Sequence, residues 1–326
     1  MKLYQNLPGF DEVDPKRRKS EYWNVGKWKN FINPLLPKDC KNMTFIDMGC
    51  NAGLFLKMAK DKGFGKCIGI EKSRSTLKEG EKYRKKTGYD YQLLNQTMGV
   101  DFNLDRMPVA DVTLLANVHY YMKVGDFLEY LDKLRRKTLY CIVVTSNHKS
   151  PSHHWRPSGM IPDVRNYFKE WIEEDAIYRV KYNSRLLNDP APRKLWSLRF
   201  KSQLKRVKID DLKWGASGHS SGKHLLRDEL AEIVLQRGKY DRTYFDLRDS
   251  EHIKKTRYFR TWVSRDWTED RALDFTIERL NTMLDVSLNG MKKPIWIQLD
   301  NKIIDGGHRV SIMKALGYKY IIGRVI

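Results

Sequence analysis

Cysteine is scarce in this chain. There are four among 326 residues, Cys40, Cys50, Cys67 and Cys141, all in the first half. No two form a C-x-x-C pair, which excludes the common zinc and dithiol arrangements. Three of them fall in or beside predicted strands, so they read as reduced core residues, and the expected compartment is the cytoplasm. Long apolar runs are missing as well. None approaches the roughly 20 residues of a membrane-spanning helix, and no signal peptide is expected ahead of the first strand, so no membrane partner is expected. Acidic charge is in deficit, with 40 Asp and Glu against 61 Lys and Arg and a net charge of +21. Such an excess attracts phosphate-rich partners. Nine tryptophans and seventeen tyrosines supply planes on which bases can stack. The expected partner is therefore a nucleic acid, RNA or DNA, or a nucleotide-linked molecule; the alternative is a basic surface that is simply solvated. Adjacent His153 and His154 stand without a cysteine or acid cluster, and no metal site is expected there.

Another absence is more telling. The run Phe45-Ile46-Asp47-Met48-Gly49-Cys50-Asn51-Ala52-Gly53-Leu54-Phe55 reads as a buried strand, a glycine turn and a helix, and Cys67-Ile68-Gly69-Ile70-Glu71 as a second strand ending in an acid. The dinucleotide fingerprint G-x-G-x-x-G, which lays a pyrophosphate on a helix N-terminus, is not there. In its place stands Asp47-x-Gly49-x-x-x-Gly53. The middle glycine is missing and an acid precedes the turn. An acid in the cradle disfavours a pyrophosphate and suits a cationic ligand, while Glu71 is placed to accept both hydroxyls of a ribose.

This segment resembles the glycine loop and the following acidic position of class I S-adenosylmethionine-dependent methyltransferases. The resemblance implies a Rossmann-like α/β domain and S-adenosyl-L-methionine as cofactor, with Asp47, Gly49, Asn51, Gly53 and Glu71 in the cradle. Ala110 to Tyr121 resembles the family's fourth-strand motif, whose end lines the methyl-transfer site. It makes Asn117 a cofactor contact and His119 and Tyr120 catalytic candidates. His119 is read as a base or an acceptor-orienting group, with plain packing of a helix on the sheet as the alternative. After the third strand, Tyr91 to Leu94, many relatives carry an acid for the adenine amino group. This chain has Asn95 and Gln96, whose amide carbonyls can accept the same hydrogen bond. Leu139 to Thr145 reads as the fifth strand, Ser146 to Pro162 as a loop, Asp163 to Ala176 as an amphipathic helix, and Tyr178 to Asn183 and Leu195 to Phe200 as closing strands. Ahead of the cradle, Lys16 to Lys29 interleaves basic and aromatic residues. Together with the cradle it resembles methyltransferases close to the tRNA wobble-uridine carboxymethyltransferases, whose N-terminal extension covers the cofactor site.

The character of the chain changes near Gln203. Arg206 to Leu212 reads as a strand opening into a turn, followed by helices over His224 to Arg237 and Trp267 to Asn289. Two strands then meet around Asp300 and Asn301. Asp305-Gly306-Gly307-His308-Arg309 opens a helix that Gly317 ends, and Tyr320 to Ile326 is a final strand. This block resembles the ParB/sulfiredoxin superfamily. The resemblance implies a smaller ParB-like α/β domain whose glycine turn, helix N-terminus and Arg309 hold nucleotide phosphates. ATP or CTP with magnesium is the implied ligand, and Asp305 would hold the metal ion or act as a base. Sulfinic-acid reduction needs a cysteine beside that turn, where Gly307 and His308 stand instead.

The expected organisation is an extension over residues 1–40, a methyltransferase domain over 41–200 and a ParB-like domain over 201–326. The expected function is methyl transfer to a nucleic acid or nucleotide-linked substrate. A bifunctional methyltransferase and kinase, and a nucleic-acid-binding protein with a vestigial cradle, are the alternatives. Neither N-P-P-Y nor D-P-P-Y follows the fourth strand, so an exocyclic base amine is not indicated as acceptor. No cysteine stands there for a covalent pyrimidine adduct.

Overall fold

The computed structural model describes residue 7 and residues 24–98, 103–104, 107–118, 122, 124–146, 172–180, 193–201, 204–214, 223–238 and 243–325. The chain divides into two units, residues 1–104 with 110–203, and residues 105–109 with 204–326. No described helix is long and apolar enough to cross a membrane.

The first unit is a seven-stranded sheet in the order β3-β2-β1-β4-β5-β7-β6. Its parallel part comprises β1 (Thr44–Met48), β2 (Lys66–Glu71), β3 (Gln92–Asn95), β4 (Ala110–Ala116) and β5 (Thr138–Ser146). Helices α1 (Leu54–Lys62), α2 (Arg74–Thr87) and α3 (Val124–Leu134) make the crossovers. The two remaining strands, β6 (Ile172–Val180) and β7 (Arg193–Lys201), are antiparallel additions beside β5. This is an α/β, Rossmann-like sheet, and its strands are apolar on both faces because helices are expected on both. In β4 every residue from Ala110 to Leu115 is buried. Helix α2 shows how sequence sets its ends. The Ser73 hydroxyl accepts from Thr76 N, and Gly88 takes the left-handed conformation that stops the helix.

The strand order reverses between β1 and β4. Ligands in such sheets bind in the crevice beyond the carboxyl ends of the strands at that point. Asp47 and Gly49 stand at the end of one of these strands and Asn117 follows the other.

Residues 24–36 form a helical cap rather than a free arm. Trp28, Phe31, Ile32, Leu35 and Leu36 are buried with Phe45, Phe55 and Phe64 in one apolar cluster. Trp28 stacks on Phe55 with ring centroids 6.0 Å apart and meets Phe45 edge-on at 6.1 Å. The four cysteines are buried and free. The helix expected over Asp163 to Ala176 needs correcting. Residues 172–176 belong to β6, in antiparallel register with β7 from Ile172 opposite Phe200. Pairing with a neighbouring strand overrides a short helical pattern. Residues 163–171 lie outside the described part.

The second unit carries a five-stranded sheet in the order β8-β12-β10-β11-β9. The strands are β8 (Leu204–Lys208), β9 (Lys213–Trp214), β10 (Ile295–Ile297), β11 (Lys302–Asp305) and β12 (Tyr320–Val325). Its helices are α4 (Lys223–Gly238), α5 (Ser250–Lys254), α6 (Arg257–Val263), α7 (Glu269–Asn289) and α8 (Gly307–Ala315). Helix α7 starts two residues later than Trp267, because the Thr268 hydroxyl caps it by accepting from Arg271 N. The hairpin β10–β11 closes through Asn301, whose positive φ of 65° fits the tight turn expected there. From β11 the chain crosses over through α8 to β12, which is parallel to β10.

Candidate functional sites

Gly49 follows β1 with φ +77°. A Cβ on it would lie 2.5 Å from Val118 Cγ1, so the turn sits directly against the end of β4. Gly49 N and Cys50 N both donate to Ile70 O, at 2.7 and 3.0 Å, which pins the turn to β2. Gly53 caps α1 with φ +90°, and the Tyr91 ring lies behind it, 3.3 Å from where a Cβ would stand. Both positions need glycine for conformation and for space.

Around this turn lie buried polar oxygens with no hydrogen-bond partner among the described residues: Asp47 Oδ2, Asn51 Oδ1 and Asn117 Oδ1. Asn51 and Asn117 both hold positive φ, 52° and 58°. Their backbones are tied down, Asn51 N donating to Glu71 Oε2 at 3.1 Å and Asn117 N to Val144 O at 2.8 Å. Buried acceptors are normally satisfied. Several orphaned acceptors at one crevice describe a polar cradle that asks for donors and positive charge.

Asp47 is 1% exposed. Burial, reinforced by the nearby Glu71 charge, pushes its carboxyl up to about 8, and the buried Lys27 of the cap draws it part of the way back. Glu71 orders the loop after β2. Its Oε1 accepts from Ser73 N at 2.9 Å while Oε2 holds Asn51 N. Each oxygen keeps a second lone pair for a ligand hydroxyl.

The two amides after β3 are not equivalent. Asn95 is engaged within the protein, its Nδ2 donating to the Glu71 and Lys72 carbonyls and its Oδ1 accepting from Arg74 Nε at 3.0 Å. Gln96 is half-buried, and its backbone N donates to Glu71 O at 3.1 Å. No described residue hydrogen-bonds its side chain, so it is the freer amide. His119 and Tyr120 lie outside the described residues, as do His153 and His154.

In the second unit, Gly306 caps α8 with φ +98°, and a Cβ there would come within 2.7 Å of Ile295 Cγ2. Gly307 opens the helix against Arg227 of α4 and Trp214 of β9, which lie 3.1 Å from the position of its missing Cβ. The Arg227 guanidinium sits 5.3 Å from the Trp214 ring centre. Arg309 is engaged within the protein. Its Nη1 donates to the Lys293 and Pro294 carbonyls at 2.8 and 2.7 Å, and its Nη2 binds Asp305 Oδ2 at 2.6 Å. It is a clamp between the start of α8 and the start of β10, and it also holds the Asp305 carboxylate. His308 is turned inward, its Nε2 2.9 Å from Tyr258 Oη. Burial, with the charges of Arg227, Arg279 and Arg309, pulls the His308 imidazole down to about 3, so it is neutral.

No protein-family model matches the chain, and no curated protein matches it. Solved structures do. Magnesium protoporphyrin IX methyltransferase from Synechocystis PCC 6803, solved with bound SAM, aligns over 60% of this chain and 88% of its own at 10% identity, TM-score 0.45. A protein from Pyrococcus horikoshii OT3 aligns over 58% of this chain and 93% of its own at 13% identity, TM-score 0.40. TehB from Haemophilus influenzae aligns over 55% of this chain and 60% of its own at 11% identity, TM-score 0.40. At this level the likeness is of fold alone.

Sequence reasoning missed three side chains that shape these sites. Lys27 and Lys29 flank Trp28 alike in the sequence, and only the fold shows that Lys27 is buried while Lys29 is exposed. Tyr91, at the start of a predicted strand, carries no local sign that its ring backs Gly53. Arg227 had no local signal at all, because it reaches Gly307 from a helix eighty residues upstream.

Proposed function

We propose that the first unit is an S-adenosylmethionine-dependent methyltransferase domain acting on a nucleic acid or nucleotide-linked acceptor. The observation that carries this reading is the set of unpartnered buried oxygens, Asp47 Oδ2, Asn51 Oδ1 and Asn117 Oδ1, around the Gly49–Gly53 turn. A cationic ligand rich in donors fits that set, and a pyrophosphate does not. When bound, S-adenosylmethionine supplies an electrophilic methyl group. Asp47 balances positive charge in the cradle, and Glu71 accepts the ribose hydroxyls. Gly49 and Gly53 leave room at the backbone, Gln96 offers its amide to the adenine, and Asn117 bounds the crevice beside β4. Much of the rate then comes from holding the acceptor in line. His119 and Tyr120, next after Val118, are the candidates for proton removal from it. The net charge of +21 supports the acceptor class.

A second activity has one observation in its favour. Arg227 lies on Gly307 at the N-terminus of α8, which suits a phosphate in a ParB-like second unit. ATP or CTP with magnesium is the proposed ligand. Asp305 would have to leave Arg309 to take a metal ion.

The test is a thermal-shift and calorimetric titration of the full chain with S-adenosylmethionine, S-adenosylhomocysteine, and ATP or CTP with magnesium. Binding of the methyl donor and its product, lost in Asp47→Asn, is the expected result. Silence with both would leave a binding protein with a vestigial cradle. Added binding of ATP or CTP, lost in Arg227→Met, supports the bifunctional reading.

A further inference from the structure

The sheet of the second unit has two unlike faces. Its strand register places Ile295, Ile297, Ile303, Ile321 and Val207 on one side, all buried. On the other side the same register aligns Trp296 and Leu204 with Arg324, Tyr320 with Lys208, and Ile322 with Arg206; Ile322 and Leu204 are buried, and the exposed groups there are Trp296, Tyr320, Lys208 and Arg324. Trp296 is 45% exposed and Tyr320 37% exposed, although both stand within a sheet. Lys208 and Arg324 are exposed, and the Arg206 guanidinium lies 4.2 Å from the centre of the Tyr320 ring. Ile304 of β11, at the irregularity where the pairing of β11 with β10 shifts register, is 47% exposed. The carboxylate in register with Trp296, that of Asp305, is neutralised by Arg309 at 2.6 Å.

We propose that this face of the second unit is a platform for single-stranded nucleic acid, on which Trp296 and Tyr320 stack bases while Arg206, Lys208 and Arg324 take the phosphates. The proposal deepens the reading of a nucleic-acid acceptor and rests on it. Exposed rings on adjacent strands, flanked by cations, make a surface on which any unpaired base has a partner. Paired bases in a duplex keep their faces inside the stack and cannot use it. An acidic protein would engage the cations but has no need of exposed aromatic planes at Trp296 and Tyr320, the latter carrying Arg206 on one face. Trp296 is opposite Arg324, and Tyr320 lies four residues before Arg324 on the neighbouring strand. Their Cα positions are therefore about 14 Å apart, a span suited to non-adjacent bases of one strand. The platform uses neither the Gly306–Gly307 turn nor the cradle of the first unit.

The experiment is fluorescence anisotropy on the full chain with a labelled single-stranded RNA of about 12 nucleotides, the matching DNA, a duplex of the same sequence, and heparin as a polyanion without bases. The expected result is preference for the single strands. Trp296→Ala and Tyr320→Ala should each weaken that binding about tenfold while leaving heparin binding unchanged, and Trp296→Phe should restore most of it. Arg324→Glu and Lys208→Glu should weaken binding of both and flatten its salt dependence. Because both rings are surface groups, melting curves of the variants should match the parent. Wild-type single-strand binding that both alanine variants retain would overturn the platform and leave the nucleic-acid reading standing. Absence of single-strand binding by the wild type at low salt would remove both. Equal loss of heparin binding in the alanine variants would reduce the face to a charged patch and also overturn the proposal.

Discussion

Replacing Asp47 by Asn removes the ionisable carboxyl of the cradle and little else. The carboxyl is buried, and it titrates at about 8 in the folded protein against an ordinary value of 3.8. The unfolded chain gives up this proton near pH 3.8, whereas the folded chain keeps it to about pH 8. Folding therefore takes up a proton across that window. The stability contributed at this site is greatest below pH 3.8, falls as the pH rises, and levels off above 8. Each pH unit is worth about 1.4 kcal/mol, so at pH 7 the burden is on the order of 4 kcal/mol, an upper bound because water entry and relaxation soften buried charges. Asparagine carries no such burden. Calorimetry should show the first unit melting several degrees higher in Asp47→Asn at pH 8, given about 2–4 °C per kcal/mol for a unit of this size, with the gain shrinking towards pH 5. Cofactor affinity should move the other way. In the wild type, binding of S-adenosylmethionine should strengthen as pH approaches 8, because the ionised carboxylate is the form that meets a cation. The variant should lose that pH dependence and bind roughly 30-fold or more weakly, the cost of truncating one partner of a buried charge contact. A variant that is more stable yet binds the cofactor as the wild type does would refute the role given to Asp47. A wild type whose stability is flat from pH 5 to 8 would refute the burial argument itself.

Other substitutions test the remaining parts. Gly49→Ala should destabilise the first unit by about 2–4 kcal/mol, from the positive φ and from overpacking against Val118, read by urea denaturation. Arg309→Met should destabilise the second unit by about 2–3 kcal/mol, because it strips charged hydrogen bonds from two carbonyls and Asp305. Arg227→Met should cost much less stability while weakening any phosphate ligand at Gly307, a contrast that separates clamp from ligand contact. His308 is held neutral, with its pKa lowered from 6.5 to about 3. Its contribution to stability is complete above pH 6.5 and is lost as the pH falls towards 3. The second unit should thus weaken in acid, and His308→Gln should flatten that decline in a pH series of melting curves.

Some of this molecule is legible in the sequence and some is not, for physical reasons. The cradle can be read because its requirements are local. A turn between β1 and α1 must use glycine at Gly49 and Gly53, and the chain supplies the acid two residues ahead of it. The parallel strands announce themselves as short apolar runs, since helices cover both faces. The region from 163 to 176 misleads for the opposite reason. Its apolar spacing suits a helix, but Ile172 onward pairs with β7, and that partner is invisible to a local pattern. Short α5 and α6 are missed because they are too brief to show a period. The two amides after β3 look equivalent in sequence. Only the fold shows that Arg74 and two carbonyls engage Asn95 and leave Gln96.

The second unit makes the sharper point about motifs. Asp305-Gly306-Gly307-His308-Arg309 suggests a turn that aims charge at a phosphate, yet His308 and Arg309 point their chemistry inward and Asp305, itself exposed, is engaged by Arg309. Arg309 ties two carbonyls and Asp305, and His308 pairs with Tyr258 at a site where it stays neutral. These contacts lie on both sides of Gly306, whose positive φ turns the chain from the strand into the helix. Arg309 Nη2 lies 3.0 Å from where a Gly306 Cβ would stand, and the positive charge against Gly307 comes from Arg227 on α4, which no local spacing could place. If a phosphate binds at Gly307, its affinity depends on a residue outside the motif, and the motif's own arginine governs folding. Arg227→Lys separates the two. A lysine keeps the charge but loses the planar guanidinium that lies against Trp214 and Gly307. Phosphate affinity should then fall several-fold with no change in melting temperature. A variant with full affinity would mean that the backbone N–H groups of α8 suffice, and that Arg227 is there for Trp214 alone.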